Sequence, residues 1–311
     1  MNILHRNFLL LLCTASSSAA FHQPPTQNNN YVTKTSSFVQ SRNPAIAKLD
    51  HSSQTVQYNL SSKLFAATGE ESITNPELDT DAIVKYGSSI AIQMSIISGL
   101  FYGLDNAIDT TGFEVPFPGV IALFYFFSLK SRTFNPLNNQ RPNLEKAVKG
   151  EESSKGFRDR VMPSWTPPGV TFPIMWLLVI GPIRSYTSAL VYNANGHHFF
   201  DAAILSLILH LSIGDVWNTI NNTEKRYGAA VPSVLLVSAA AANAAYQYSQ
   251  VEPFAGKLLG LTLVWFAVAS ALIADTWRLN PDPTTGERDP LYPVTGGETN
   301  TEFAWFRRGE E

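Results

Sequence analysis

The stretch Pro163-Ser164-Trp165-Thr166-Pro167-Pro168-Gly169-Val170-Thr171-Phe172-Pro173-Ile174-Met175-Trp176, continuing unbroken to Tyr192, decides the fold. A polar loop ends on two consecutive prolines, and an apolar run from Gly169 to Tyr192 follows. Proline fixes φ and lacks an N–H, which suits the residues just before and at a helix start. A run of about 20 residues or more is long enough to cross about 30 Å of hydrocarbon. In lipid every backbone N–H needs an internal partner, so such a run must be helical.

Working outward, the same pattern recurs. Ile83–Leu104, Phe200–Ile220, Ala229–Tyr248 and Gly256–Trp277 are apolar runs of spanning length. Val115–Leu129 is shorter, and would cross only a thin bilayer or lie tilted at its edge. The chain is 45% hydrophobic and only 15% charged, against about 25% charged in soluble domains. These runs predict an all-α integral membrane protein. A net charge of −3 provides no basic field for nucleic acid, which is not an expected partner.

Charge placement predicts topology. The Lys130–Ser164 loop, the Asn221–Gly228 loop and the tail after Trp277 carry Arg132, Arg141, Lys146, Lys149, Lys155, Arg158, Arg160, Lys225, Arg226, Arg278, Arg288, Arg307 and Arg308. Asp105–Glu114, Asn193–Phe199 and Ser249–Ala255 contain no Lys or Arg. The positive-inside rule places these two sets on opposite faces and gives six crossings. Gly99/Gly103 and Gly256/Gly260 are spaced for close helix approach, either within one chain or in a homodimer.

The N-terminus reads as an address. Residues 1–20 have the basic start, short apolar run and small residues of a signal peptide. Residues 21–67 begin at Phe21, are rich in Ser, Thr, Asn and Gln, and hold one acid, Asp50, which is transit-peptide composition. The pair resembles the bipartite plastid presequences of algae with secondary plastids, and predicts a plastid membrane with the basic loops facing the stroma. Plain secretion with a polar linker is the alternative. The remaining divisions are 68–114, a polar segment with an N-terminal membrane helix; 115–281, the main bundle; and 282–311, a polar tail. The sole cysteine, Cys13, lies in the presequence.

The Pro163–Trp176 segment resembles the first-loop signature of the translocator protein / tryptophan-rich sensory protein (TspO/MBR) family, which runs K-P-x-W-x-P-P and then opens its second helix on a Trp. Trp265, Ala269, Leu272, Trp277, Arg278 and Asn280 match the end of the last family helix at the same spacing. Trp217 sits where the third family helix places a Trp. The resemblance covers about Val115 to Pro281 and implies a five-helix bundle, with Ile83–Leu104 an additional N-terminal transmembrane helix.

It also implies a cavity lined by Trp165, Pro167, Pro168, Phe172, Trp176, Trp217, Trp265 and Ala269, binding porphyrin or haem-like tetrapyrroles or sterol-like lipids. Roles in transport, sensing or regulation are implied, with no cofactor required. Light-dependent porphyrin breakdown and a non-ligand scaffold are alternatives. Several positions depart from the pattern, among them Met162, Val170, Arg184, His210, Gly214 and Ile273.

Arg184 and His210 are ionisable groups inside spans and therefore binding candidates. Counting from the span ends puts them at similar depth on consecutive antiparallel helices. Arg184 suits a ligand carboxylate, and His210 a hydrogen bond or a metalloporphyrin iron; snorkelling and plain packing are the bland readings. No nucleophile elbow, phosphate loop or metal-spaced cluster occurs, so no catalytic or metal residues are assigned.

Overall fold

The computed structural model describes residues 77–138, 160–281, 286–295 and 300–306. The expected signal peptide, transit-like segment and most of the basic loop lie outside the described residues.

Six helices carry the fold: α1, Thr80–Thr111; α2, Phe117–Lys130; α3, Thr171–Ala194; α4, Ala202–Thr223; α5, Tyr227–Val251; and α6, Pro253–Leu279. Strand pairing among the described residues is confined to two isolated bridges, Leu78 with Val294 and Leu137 with Phe303. All but α2 are long and apolar enough to cross a membrane. The protein is an all-α membrane bundle. Helix α2 has 14 residues, about 21 Å at 1.5 Å per residue, against about 30 Å of hydrocarbon. Helix α2 alone thus falls short of the expected sixth crossing, and the 3₁₀ turn Ser131–Phe134 that follows it adds about 8 Å at about 2.0 Å per residue.

Neighbours in sequence pack together: α4 against α5, α5 against α6, and α2 along α3. Gly256 permits the α5–α6 turn, because a Cβ there would sit 2.4 Å from Ser249 Cβ. That glycine serves packing within the chain. Gly99, Gly103 and Gly260 have nothing within 4 Å of an added Cβ.

Helix α1 is built into the bundle. Its buried residues, Ala82, Tyr86, Ser89, Gln93, Ile97, Phe101 and Asp105, recur every three or four positions and form one stripe. The stripe faces α4. At one end Phe101 packs against Phe124, Phe127 and Phe199, with ring centroids 5.2–5.9 Å apart. Asp105 accepts from the backbone N–H groups of Phe199 and Phe200 at 2.8 and 2.7 Å. It belongs to the helix, which runs on to Gly112 at φ 66°, so the loop expected from Asp105 begins later. Midway, Gln93 donates to Asp215, Ser131 donates to the same carboxylate, and Asn135 donates to Gln93.

The C-terminal tail, which sequence composition gives only as polar, is bonded to the residues before α1 and to those after α2. Asp79 N–H donates to Pro293, Thr295 N–H to Glu77 and Ala304 N–H to Pro136. Gly228 lets it approach: a Cβ there would lie 2.0 Å from the Pro290 carbonyl oxygen.

Candidate functional site

Helix α3 does not wind uniformly. Pro182 cannot donate to Leu178, and the residues Met175–Ile180 take π winding. Tyr125 of α2 donates to the Leu177 carbonyl at 2.9 Å. Gly181 is required here, since a Cβ would meet the Trp176 carbonyl oxygen at 2.8 Å. The Arg184 side chain runs back toward the helix N-terminus, the usual direction for a long helical side chain. Its guanidinium carbon lies 5.3 Å from the Trp176 ring centre and 5.9 Å from that of Phe266.

Arg184 and His210 do meet. Arg184 Nη2 lies 2.5 Å from His210 Nε2, and His210 Nδ1 lies 3.0 Å from the Val237 carbonyl oxygen. A carbonyl only accepts, so Nδ1 carries the hydrogen and Nε2 accepts from the guanidinium. Arg184 is 4% exposed and reaches no surface, so the snorkelling reading does not hold. Among the described residues no carboxylate lies within ion-pair distance of it.

The aromatic residues converge on the same region. Trp176 and Trp217 both pack on the cluster of Ile213, Val237, Ala240, Ala241 and Phe266. Trp176 and Phe266 have ring centroids 6.1 Å apart, and Phe172 and Trp265 5.9 Å. His210 stands edge-on to Phe266 at 5.2 Å. The Trp217 indole N–H is enclosed without a hydrogen-bond partner. One turn earlier on α4, Gly214 has nothing within 4 Å of an added Cβ. Ala269 follows Trp265 by one turn on α6 and is partly buried.

The loop residues form a rim over the basic-face end of α6. Trp165 is 46% exposed, and its indole N–H donates to Asp275 at 2.9 Å. Asn280 and Val161 bond twice, at 2.8 Å each. Thr171 N–H donates to Pro168, seating the proline pair at the helix start. Trp277 contacts the tail: its indole N–H donates to the Asp289 carbonyl, and Arg288 lies over its ring. It anchors the tail. Sequence reasoning missed Phe266, beside Trp265, and the Val237 carbonyl, for which no side-chain signal exists.

Five helices long and apolar enough to cross a membrane define a polytopic membrane protein. Residues 143–278 match the family model described as TspO/MBR family. The human (Homo sapiens) translocator protein is 33% identical over 131 residues, which are 41% of this chain and 76% of that protein. The pig (Sus scrofa) translocator protein is 30% identical over 129 residues, 40% of this chain and 75% of that one. The chain belongs to the TspO/MBR family. The family-model match begins at residue 143, so α1 and α2 precede it.

Proposed function

We propose that the protein binds a planar apolar ligand, a tetrapyrrole of the porphyrin or haem type or a sterol-like lipid, between α3, α4, α5 and α6. The binding serves its transport, sensing or regulation. One observation carries this reading: Trp176 and Trp217 share a cluster with Phe266, Gly214 one turn before Trp217 leaves open space where an added Cβ would sit, and the Trp217 N–H lacks a partner. Planar rings bury large area against indoles and stack offset on them. An unpartnered buried N–H is a cost that a ligand acceptor removes. Trp165, Pro167 and Pro168 form the rim through which the ligand passes, with Phe172, Trp265 and Ala269 below it. The ligand is cargo, and the reading needs no resident cofactor. The membrane is a plastid membrane, addressed by residues 1–67, with the basic face toward the stroma.

The test is tryptophan-quenching titration of the purified protein in lipid nanodiscs with protoporphyrin and, separately, a fluorescent sterol. Saturable binding of either supports the reading. Absence of both supports a scaffold. Product analysis after illumination separates binding from porphyrin breakdown.

A further inference from the structure

We infer that the internal site selects an acid: the ligand places a carboxylate against Arg184, and His210 positions that guanidinium instead of ligating a metal. The inference rests on the reading above and narrows its ligand to a flat apolar body with an anionic edge.

Arg184 is a buried cation that, among the described residues, has no carboxylate within ion-pair distance. It is 4% exposed, sits within a span, and its one side-chain hydrogen bond to a described residue goes to a neutral imidazole. A guanidinium has five N–H donors, so most of its capacity is uncommitted. Burying an unpaired charge costs several kcal/mol as an order of magnitude, and intramembrane charges persist where they have a partner or a task. Arg226, on the basic face, shows the usual arrangement: Asp79 lies at 2.8 Å and Glu224 at 3.3 Å. The charge of Asp215 acts on Arg184 from beyond ion-pair distance, and that carboxylate is already held by Gln93, Ser131 and, at 3.9 Å, Arg132.

Both nitrogens of His210 are committed. Nδ1–H donates to the Val237 carbonyl, and the Nε2 lone pair, which a metal would need, faces Arg184. Ligating iron through Nε2 would break the Arg184 contact and release the cation. The imidazole therefore serves to orient the guanidinium over the Trp176 and Phe266 rings. A carboxylate meeting the free edge of the guanidinium makes paired N–H···O bonds, the strong planar arrangement a lysine cannot reproduce. The carboxylate sits at the edge of the aromatic floor, so the acid must project from the rim of the flat body.

The experiment uses the full chain in nanodiscs of neutral phosphatidylcholine. Two matched pairs are titrated: protoporphyrin against its dimethyl ester, and cholesterol hemisuccinate against cholesterol. The pairs distinguish a tetrapyrrole acid from a sterol acid. Variants are Arg184→Gln, Arg184→Lys and His210→Gln, each checked by thermal unfolding. Wild type should prefer the acid of at least one pair by about tenfold. Arg184→Gln should abolish the preference, bringing the acids down to the affinity of their neutral partners, and Arg184→Lys should retain only part of it. His210→Gln should retain the preference, because its amide can both donate to Val237 and accept from Arg184. Haemin bound to wild type should show no imidazole-ligated spectrum. Equal affinity for acid and neutral partner, a preference that survives Arg184→Gln, or a haemin spectrum lost in His210→Gln would overturn the inference while leaving the binding site standing. If no member of either pair binds wild type, the proposed function itself falls, and this inference with it.

Discussion

Gln93 of α1 donates to Asp215 of α4 at 2.8 Å, deep inside the bundle. The contact joins a helix that precedes the family-matched region to a carboxylate inside it. Asp215 is satisfied by groups outside its own helix, Ser131 and Gln93, so its tolerance in a span depends on α1 being docked. Replacing Gln93 by Leu strands part of a buried carboxylate, at a cost of about 1–3 kcal/mol. Thermal unfolding in detergent should show that loss. Asp215→Leu combined with Gln93→Leu should recover part of it, and a double-variant loss equal to the sum of the two single losses would show the two residues to be uncoupled.

Two acids on the basic face titrate in opposite directions. Burial pushes the Asp79 carboxyl up, but the Ala82 N–H and the Arg226 guanidinium outweigh it and hold it below the ordinary aspartate value. Its folded value is depressed, so its contribution is present above the unfolded value, about 3.9, and is lost as pH falls through the folded one. Burial raises Glu224 despite its bonds to the Tyr86 hydroxyl and Arg226. There the folded state holds the proton longer, so stability falls as pH rises from about 4.3 through the raised value. Unfolding midpoints across pH 3–8 should show Asp79→Asn destabilised near neutrality and matching wild type at the acid end. Glu224→Gln should flatten the decline above pH 4. Curves parallel to wild type for both variants would refute the assignments.

Much of the architecture was legible in the primary structure. The run Phe200–Ile220 became Ala202–Thr223, and Ala229–Tyr248 became Tyr227–Val251, because apolar length and internal hydrogen bonding leave lipid-crossing segments little choice. The similar depth of Arg184 and His210 followed from counting along antiparallel helices, though not that the two side chains meet. The tail was not legible, because it is held by backbone bonds such as Asp79 N–H to Pro293, which have no side-chain signature. Nor was Gln93–Asp215, whose partners lie on helices far apart in sequence with no motif linking them. Trp277 carried the family spacing, yet its role in this chain is set by Asp289, in that same unread tail.

Glycines separate packing from cavity. Gly256→Ala should destabilise the bundle, because its Cβ would lie 2.5 Å from Ser249 backbone atoms. Gly214→Ala should not, since the space around it is open and alanine favours helix by about 1 kcal/mol. Thermal unfolding of the two variants side by side is the check, and equal destabilisation would contradict the open space at Gly214.

The rim should respond to loss of one hydrogen bond. Trp165→Phe keeps the aromatic ring but removes the donor to Asp275. Limited proteolysis of the residues before α3 should speed up, and Asp275→Asn should do so to a lesser degree, because its amide oxygen still accepts. Cleavage at the wild-type rate in Trp165→Phe would show that the bond does not hold the loop.

The central claim is that the tryptophan-lined interior beside Gly214 holds a flat ligand. The most direct measurement is absorbance titration of protoporphyrin into nanodisc-embedded wild type, Trp176→Ala and Gly214→Leu. The predicted result is a saturable shift for wild type. Trp176→Ala should bind on the order of 5- to 150-fold more weakly, from loss of about 1–3 kcal/mol of buried aromatic area. Gly214→Leu should fold normally and bind poorly, because leucine fills the space the ring needs. A wild type that shows no saturable binding of porphyrin or sterol, or variants that bind as well as it does, would contradict the account.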